Sequence, residues 1–147
     1  MFKPELLHII SFRLVKFSIN DINEIDKELD YYYQVENNVE LSFNKEQKYI
    51  RAKINIPIEI VSVNDDKIYS KGDFAVEIIY MVENFDELSN LDESMVLNID
   101  THLSDNIIAI TYSTTRGCLI EKFKDTSFDG FILPIIDIHK DIVTNSL

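Results

Sequence analysis

The sequence predicts an α+β fold, with antiparallel strands first and helices after, and three observations carry that expectation. Ile50, Ala52, Ile54, Ile56, Ile58 and Ile60 alternate with Arg51, Lys53, Asn55, Pro57 and Glu59. A period of two with one apolar side requires one face on a core and one toward water. A second alternating run, Phe74, Val76, Ile78, Tyr80 and Val82, follows after a polar connection. From Ile107 onward the period changes, and residues 108, 112, 119 and 123 fall near one helical stripe, with 107, 110, 118 and 120 beside it. Strands followed by helices, with short turns between the later strands, point to an antiparallel meander rather than a doubly wound sheet.

Each element follows from local chemistry. His8–Asn20 is strand-like but changes phase: Ile10, Phe12 and Leu14 lie on one side, then Val15, Phe17 and Ile19 on the other. A strand solvated on one face keeps one phase, so a bulge near Leu14-Val15 or a second covering surface is expected. The stretch 21–38 reads as a connecting loop, acidic at Asp21, Glu24, Asp26, Glu28 and Asp30, that leads into Tyr31, Tyr32 and Tyr33. Val39, Leu41 and Phe43 make a half-buried strand. Pro57 lacks an N–H, so its nitrogen should face an edge or an irregularity. Ser104 or Asp105 suits the N-cap of the long helix. Thr111, Thr114 and Thr115 lower helix propensity, so a strand over Ile107–Thr115 stays open. Asp137 can cap a short final helix over Ile138–Ser146, with Ile138, Ile142 and Val143 inward. Four strands, a long helix and this short C-terminal helix packed on one face complete the expected architecture, as one domain over residues 1–147.

Composition narrows the function. The chain is 46% hydrophobic, which argues against disorder, and carries 14 basic against 26 acidic residues, a formal charge of −12. That balance repels nucleic-acid backbones and anionic lipid surfaces. It favours basic or unfolded cationic segments as partners, and equally serves solubility. One cysteine, Cys118, excludes an internal disulfide and a CxxC pair; its neighbours Leu119, Ile120 and Phe123 mark it as a core residue. No bilayer-length apolar run and no signal-like opening are visible, so the expected location is the cytoplasm. His8, His102 and His139 show no ligand spacing, and three glycines leave no phosphate-cradling loop. Neither catalysis nor a cofactor is expected.

The segment Thr111 to Pro134, TYSTTRGCLIEKFKDTSFDGFILP, resembles the long-helix region of the SecB family of export chaperones. There a helix with an aromatic-Pro-Tyr-Ala-Arg segment precedes a turn, an extended leucine-rich stretch with a proline, and a short helix. Tyr112-Ser113-Thr114-Thr115-Arg116 and Ile132-Leu133-Pro134-Ile135-Ile136 occupy those places here, without the proline before the arginine. The resemblance implies ATP-independent binding of unfolded polypeptides, and dimers that pair into tetramers through first strands and helices. Val15, Phe17, Ile19, Tyr112 and Arg116 would then lie at subunit contacts. Client binding is expected at the exposed apolar and aromatic positions Tyr31, Tyr32, Tyr33, Ile79 and Met81. The family's acidic docking stretch for the SecA motor corresponds to Val15-Lys16-Phe17-Ser18-Ile19-Asn20, where Lys16 and Asn20 replace the acids; Glu77 matches a third docking position. A client other than an export substrate, such as an antitoxin, is accordingly a serious variant. An interaction or scaffold protein for one folded partner is the alternative function.

Overall fold

The computed structural model describes residues 1–24 and 28–146, so Asp26 of the acidic loop lies outside the described residues. After a short 3-10 turn at Pro4–Leu6, the chain forms β1 (Leu7–Asp21), β2 (Tyr31–Val35), β3 (Asn38–Asn44), β4 (Tyr49–Ser62) and β5 (Ile68–Val82). A small hairpin of β6 (Ser89–Leu91) and β7 (Leu97–Ile99) leads into α1 (Thr101–Lys122), and β8 (Val143–Ser146) comes last. The main sheet runs β1-β5-β4-β3-β8, with β2 also paired to β4.

β4 is the centre. Its six even-numbered residues from Ile50 to Ile60 are buried while the odd-numbered ones from Arg51 to Glu59 are half-exposed. Cα partners across the ladder share a face, so Phe74, Val76, Ile78, Tyr80 and Val82 of β5 join the same buried layer. Each such side chain contributes about 1.5–3 kcal/mol relative to exposure. β2 and β3 lie end to end along β4, separated at Glu36 and Asn37. Pro57 stands at that break: its carbonyl accepts from the Glu36 N–H at 3.1 Å, and its donor-less nitrogen faces the same gap.

Three features differ from the expected meander. Among the described residues the main sheet holds six strands rather than four, because Tyr31–Val35, inside the expected connecting loop 21–38, pairs with β4 beyond the end of β3, and β8 is added at the β3 edge. β3, β4 and β5 do follow one another as antiparallel neighbours, but β1 pairs with β5 rather than with β2 or β3, so the first strand closes the far side of the sheet. The expected helix over Ile138–Ser146 is absent. Asp137 caps only a single turn, accepting from the His139 N–H at 2.9 Å, and Val143–Ser146 then lies parallel to β3. Val143, Thr144 and Asn145 are poor helix formers, and the outer edge of β3 offers the backbone partners that a strand needs. Ile142 is buried as expected, whereas Val143 is exposed.

α1 covers one face of the sheet. Asp100, not Ser104 or Asp105, caps it by accepting from the Leu103 N–H at 3.1 Å, because β7 delivers the chain one turn earlier. Leu103, Ile107, Ile108, Thr111, Tyr112, Thr115 and Leu119 are its buried residues. The threonines are accommodated in the helix by their hydroxyls: Thr115 Oγ1 donates to the Thr111 carbonyl at 2.7 Å, and Thr111 Oγ1 bonds Tyr80 Oη at 2.8 Å. Burial pushes the Tyr80 phenol up to about 12, with the Thr111 bond opposing.

Candidate functional site

β1 is an edge strand whose apolar residues are not absorbed by the core. The phase change has the expected cause: the β1–β5 register shifts between Leu14 and Lys16, leaving Val15 as a bulge residue, and a second shift isolates Ile10. Ile9, Ile10, Phe12, Val15 and Phe17 are all exposed, while Leu14 and Ile19 are half-buried toward α1. Among the described residues no strand pairs with the outer side of β1. A long edge strand with open backbone groups and apolar side chains is a ready pairing surface.

From Phe17 a line of rings crosses the molecule. Phe17 lies 5.0 Å from Phe74, Phe74 4.9 Å from Phe123, and Phe123 5.4 Å from Phe128, centroid to centroid. Phe131 then stacks on Tyr33 at 4.1 Å. The middle of the line is buried, and its two ends, Phe17 at 37% and Tyr33 at 38%, are exposed. Gly72 makes this possible: a Cβ there would stand 2.4 Å from the Phe74 ring and 3.0 Å from Phe128. Beyond Phe131 the chain is extended and apolar outward, with Ile132 exposed and Ile135 93% exposed. The Tyr112 hydroxyl holds this segment by donating to the Pro134 carbonyl at 2.5 Å.

The expected site residues therefore separate. Tyr31 turns toward the helix-covered face and meets Tyr69 edge-on at 4.9 Å, Tyr33 joins the ring line, and Tyr32 is exposed on the opposite face. Burial raises the Tyr33 phenol pKa. Ile79 and Met81 are half-buried on the uncovered face, as partners of Arg51 and Tyr49, whereas Tyr32 pairs with Val61. Ten residues of β4 separate these positions, roughly 33 Å, so the five do not line one groove. Sequence reasoning did not single out Ile132 and Ile135 as exposed; a proline-broken apolar run without period was their only signal.

Among the subunit-contact positions, Val15, Phe17 and Ile19 belong to the apolar edge. Tyr112 does not: it is buried and spent on Pro134. Arg116 is half-exposed on α1 and forms no ion pair among the described residues. Lys16, Asn20 and Glu77 share the uncovered face, yet the acid is occupied. Glu77, with its side chain 8% exposed, accepts from Arg51 Nε at 2.6 Å and Arg13 Nη2 at 3.0 Å. Burial pushes its carboxyl up, but the Arg51 and Arg13 contacts outweigh this and hold it below the usual range. Lys16 is bound to Asp73. Cys118 is half-buried and its thiol is pushed up by burial, away from the reactive thiolate. Among the described residues no three His, Cys, Asp or Glu side chains stand together as metal ligands, and no helix is long and apolar enough to cross a membrane.

No protein-family sequence model matches the chain, and no curated protein matches it in sequence. Structure gives a different answer. A solved structure of the Mycobacterium tuberculosis SecB-like chaperone Rv1957, in complex with a ChAD peptide from the Rv1956 HigA1 antitoxin, is similar over 90% of this chain and 92% of its own, with a TM-score of 0.68 at 12% identity. The chain thus has a SecB-like fold, similar in structure at a very low sequence identity.

Proposed function

We propose that this protein is an ATP-independent holdase that binds unfolded or extended polypeptide segments, working in the cytoplasm as a single-domain subunit of a homo-oligomer. The observation that carries the reading is the pair of exposed apolar regions at the two ends of one buried ring line. Phe17 and its β1 neighbours form the first, and Tyr33 with Phe131, Ile132 and Ile135 forms the second. A holdase has to present apolar surface without coalescing, and the formal charge of −12 supplies self-repulsion. Flat aromatic and flexible aliphatic side chains bury area with few directional demands, which suits varied clients.

The two ends divide the work. The open backbone edge of β1, with Val15, Phe17 and Ile19, fits pairing of subunits, and a dimer of such dimers is the assembly proposed. The tyrosine end fits clients. An antitoxin-like segment is the client favoured over export substrates, since the SecB-like neighbour of this fold was solved with an antitoxin peptide. Against docking of a SecA-type motor stand the occupied Glu77 and the basic Lys16.

The test is suppression of aggregation of several unrelated, chemically unfolded proteins without ATP, read by light scattering near stoichiometric ratios. The wild type should keep them soluble. A Tyr33→Ser, Ile132→Ser, Ile135→Ser variant should lose most of this activity at unchanged oligomeric mass. Failure with every unfolded client, joined to tight binding of one folded partner, would establish the scaffold function instead.

A further inference from the structure

We propose that β8 is a self-ligand: it fills a peptide-binding edge of the sheet, and an extended apolar client segment with basic flanks takes its place when β8 leaves. This rests on the holdase reading and adds a second client surface, one that the chain itself keeps closed.

The seat is the outer edge of β3, where Asn38 to Leu41 pair in parallel with Val143 to Ser146. The pairing is short, four residues, and parallel ladders are slightly weaker per residue than antiparallel ones. Its entry is imperfectly satisfied. The Val143 N–H donates to the Asn37 carbonyl at 2.9 Å, but the Asn37 side-chain amide reaches the Asp141 carbonyl only at 3.4 Å. Asn37 is 7% exposed, and its Oδ1 is buried without a hydrogen-bond partner among the described residues. A buried acceptor left open at the start of an extended segment is what an incoming backbone N–H can satisfy, and leaving it empty is costly.

Beside this edge the surface is open. Ile138 and Ile142, with Leu41, Phe43, Leu97 and Ile108, line a cleft of about 480 Å³ whose wall also carries Asn98, Ser104, Asp105, His139 and Thr144. Longer side chains at alternate positions of an extended segment would reach into it. Among the described residues the one ion pair holding the turn to α1 is His139 with Asp105 at 3.4 Å, and the imidazole is mostly exposed. Asp105 lines this cleft, and Asp137 and Asp141 lie in the turn before β8 alongside Lys140, so the acidic excess complements basic residues flanking the apolar segment. Strand addition of this kind takes affinity from backbone bonds and selectivity from pockets for alternate side chains.

Three forms of the protein test the proposal, with a fluorescein-labelled synthetic peptide of alternating Leu and Ser flanked by lysines as probe in fluorescence anisotropy. The first is the full chain. The second lacks residues 143–147. The third carries Asn38→Cys and Val143→Cys in a Cys118→Ser background, which joins register partners when oxidised. Removing the competing strand should tighten binding on the order of threefold to tenfold, the gain when a mostly closed site is freed. Oxidation of the third form should weaken binding by at least as much, and reduction should restore it. That redox reversal reads out within one folded protein, so it stands even where the truncated form is unstable. Equal affinity in all three forms overturns the proposal. If the peptide binds none of them while unfolded proteins are still held soluble, this inference falls and the holdase reading stands; if neither binds, both fall.

Discussion

β4 and β1 are strands of nearly equal length in one sheet, 14 and 15 residues, and they use apolar residues in opposite ways. β4 has neighbours on both edges and α1 across one face, so its apolar phase is fully buried and its polar phase is half-exposed. β1 has one neighbour, two register shifts and five exposed large apolar side chains. Burial in β4 is complete within the monomer, which marks it as structural. β1 packs Phe17 on Phe74 but leaves an apolar excess that the core does not take up, which is the surface the proposed subunit pairing would use. The same contrast separates Tyr31, absorbed by Tyr69, from Tyr33, which closes a ring line but keeps one side open.

Removing side chains from each region should separate these roles. Ile56→Ala, at a fully buried site of β4, should cost about 2–5 kcal/mol in denaturant unfolding through lost burial and the cavity left. A cost below about 1 kcal/mol would mean that the centre of the sheet is not the core. Glu77→Gln should have an intermediate effect, about 1–2 kcal/mol, after discounting for the solvent-exposed sides of Arg13 and Arg51. Its pH dependence has a defined sign. A carboxyl lowered in the folded state stabilises above its unfolded value and loses that contribution as pH falls through the folded value. The wild-type advantage over Glu77→Gln should therefore be full near neutrality and shrink below the ordinary glutamate value of 4.5. Val15→Asp, at an exposed bulge residue, should change dilute monomer stability least, within about 0.5 kcal/mol. It should nevertheless lower the mass found by light scattering at tens of micromolar. An unchanged mass there would remove β1 from the subunit contact and leave its apolar excess to clients.

Alternation alone was enough to place β4 and β5 and to choose their buried faces, because a period of two has one arrangement that hides isoleucines and wets lysines. The bulge at Val15 was legible for the same reason: a phase change within one strand has to be absorbed somewhere. Helix against strand over Ile107–Thr115 was not legible. Intrinsic propensity spoke against Thr111 and Thr115, and only the hydroxyl bonds to Tyr80 and to the preceding turn, both products of tertiary placement, made the helix comfortable for them. Nothing in the neighbourhood of Tyr112 foretells that a carbonyl 22 residues later takes its hydroxyl.

The sequence by itself determined the α+β class, the buried face of the central strands, the phase change in β1 and the acidic surface, since each depends on periodicity or on charge summed along the chain. Only the tertiary structure decided that β1 lies beside β5, that residues 143–146 form a strand on the β3 edge, and that Glu77 is occupied by two arginines. Those outcomes depend on which backbone edges and side chains meet across many residues of separation, and no local pattern encodes that competition.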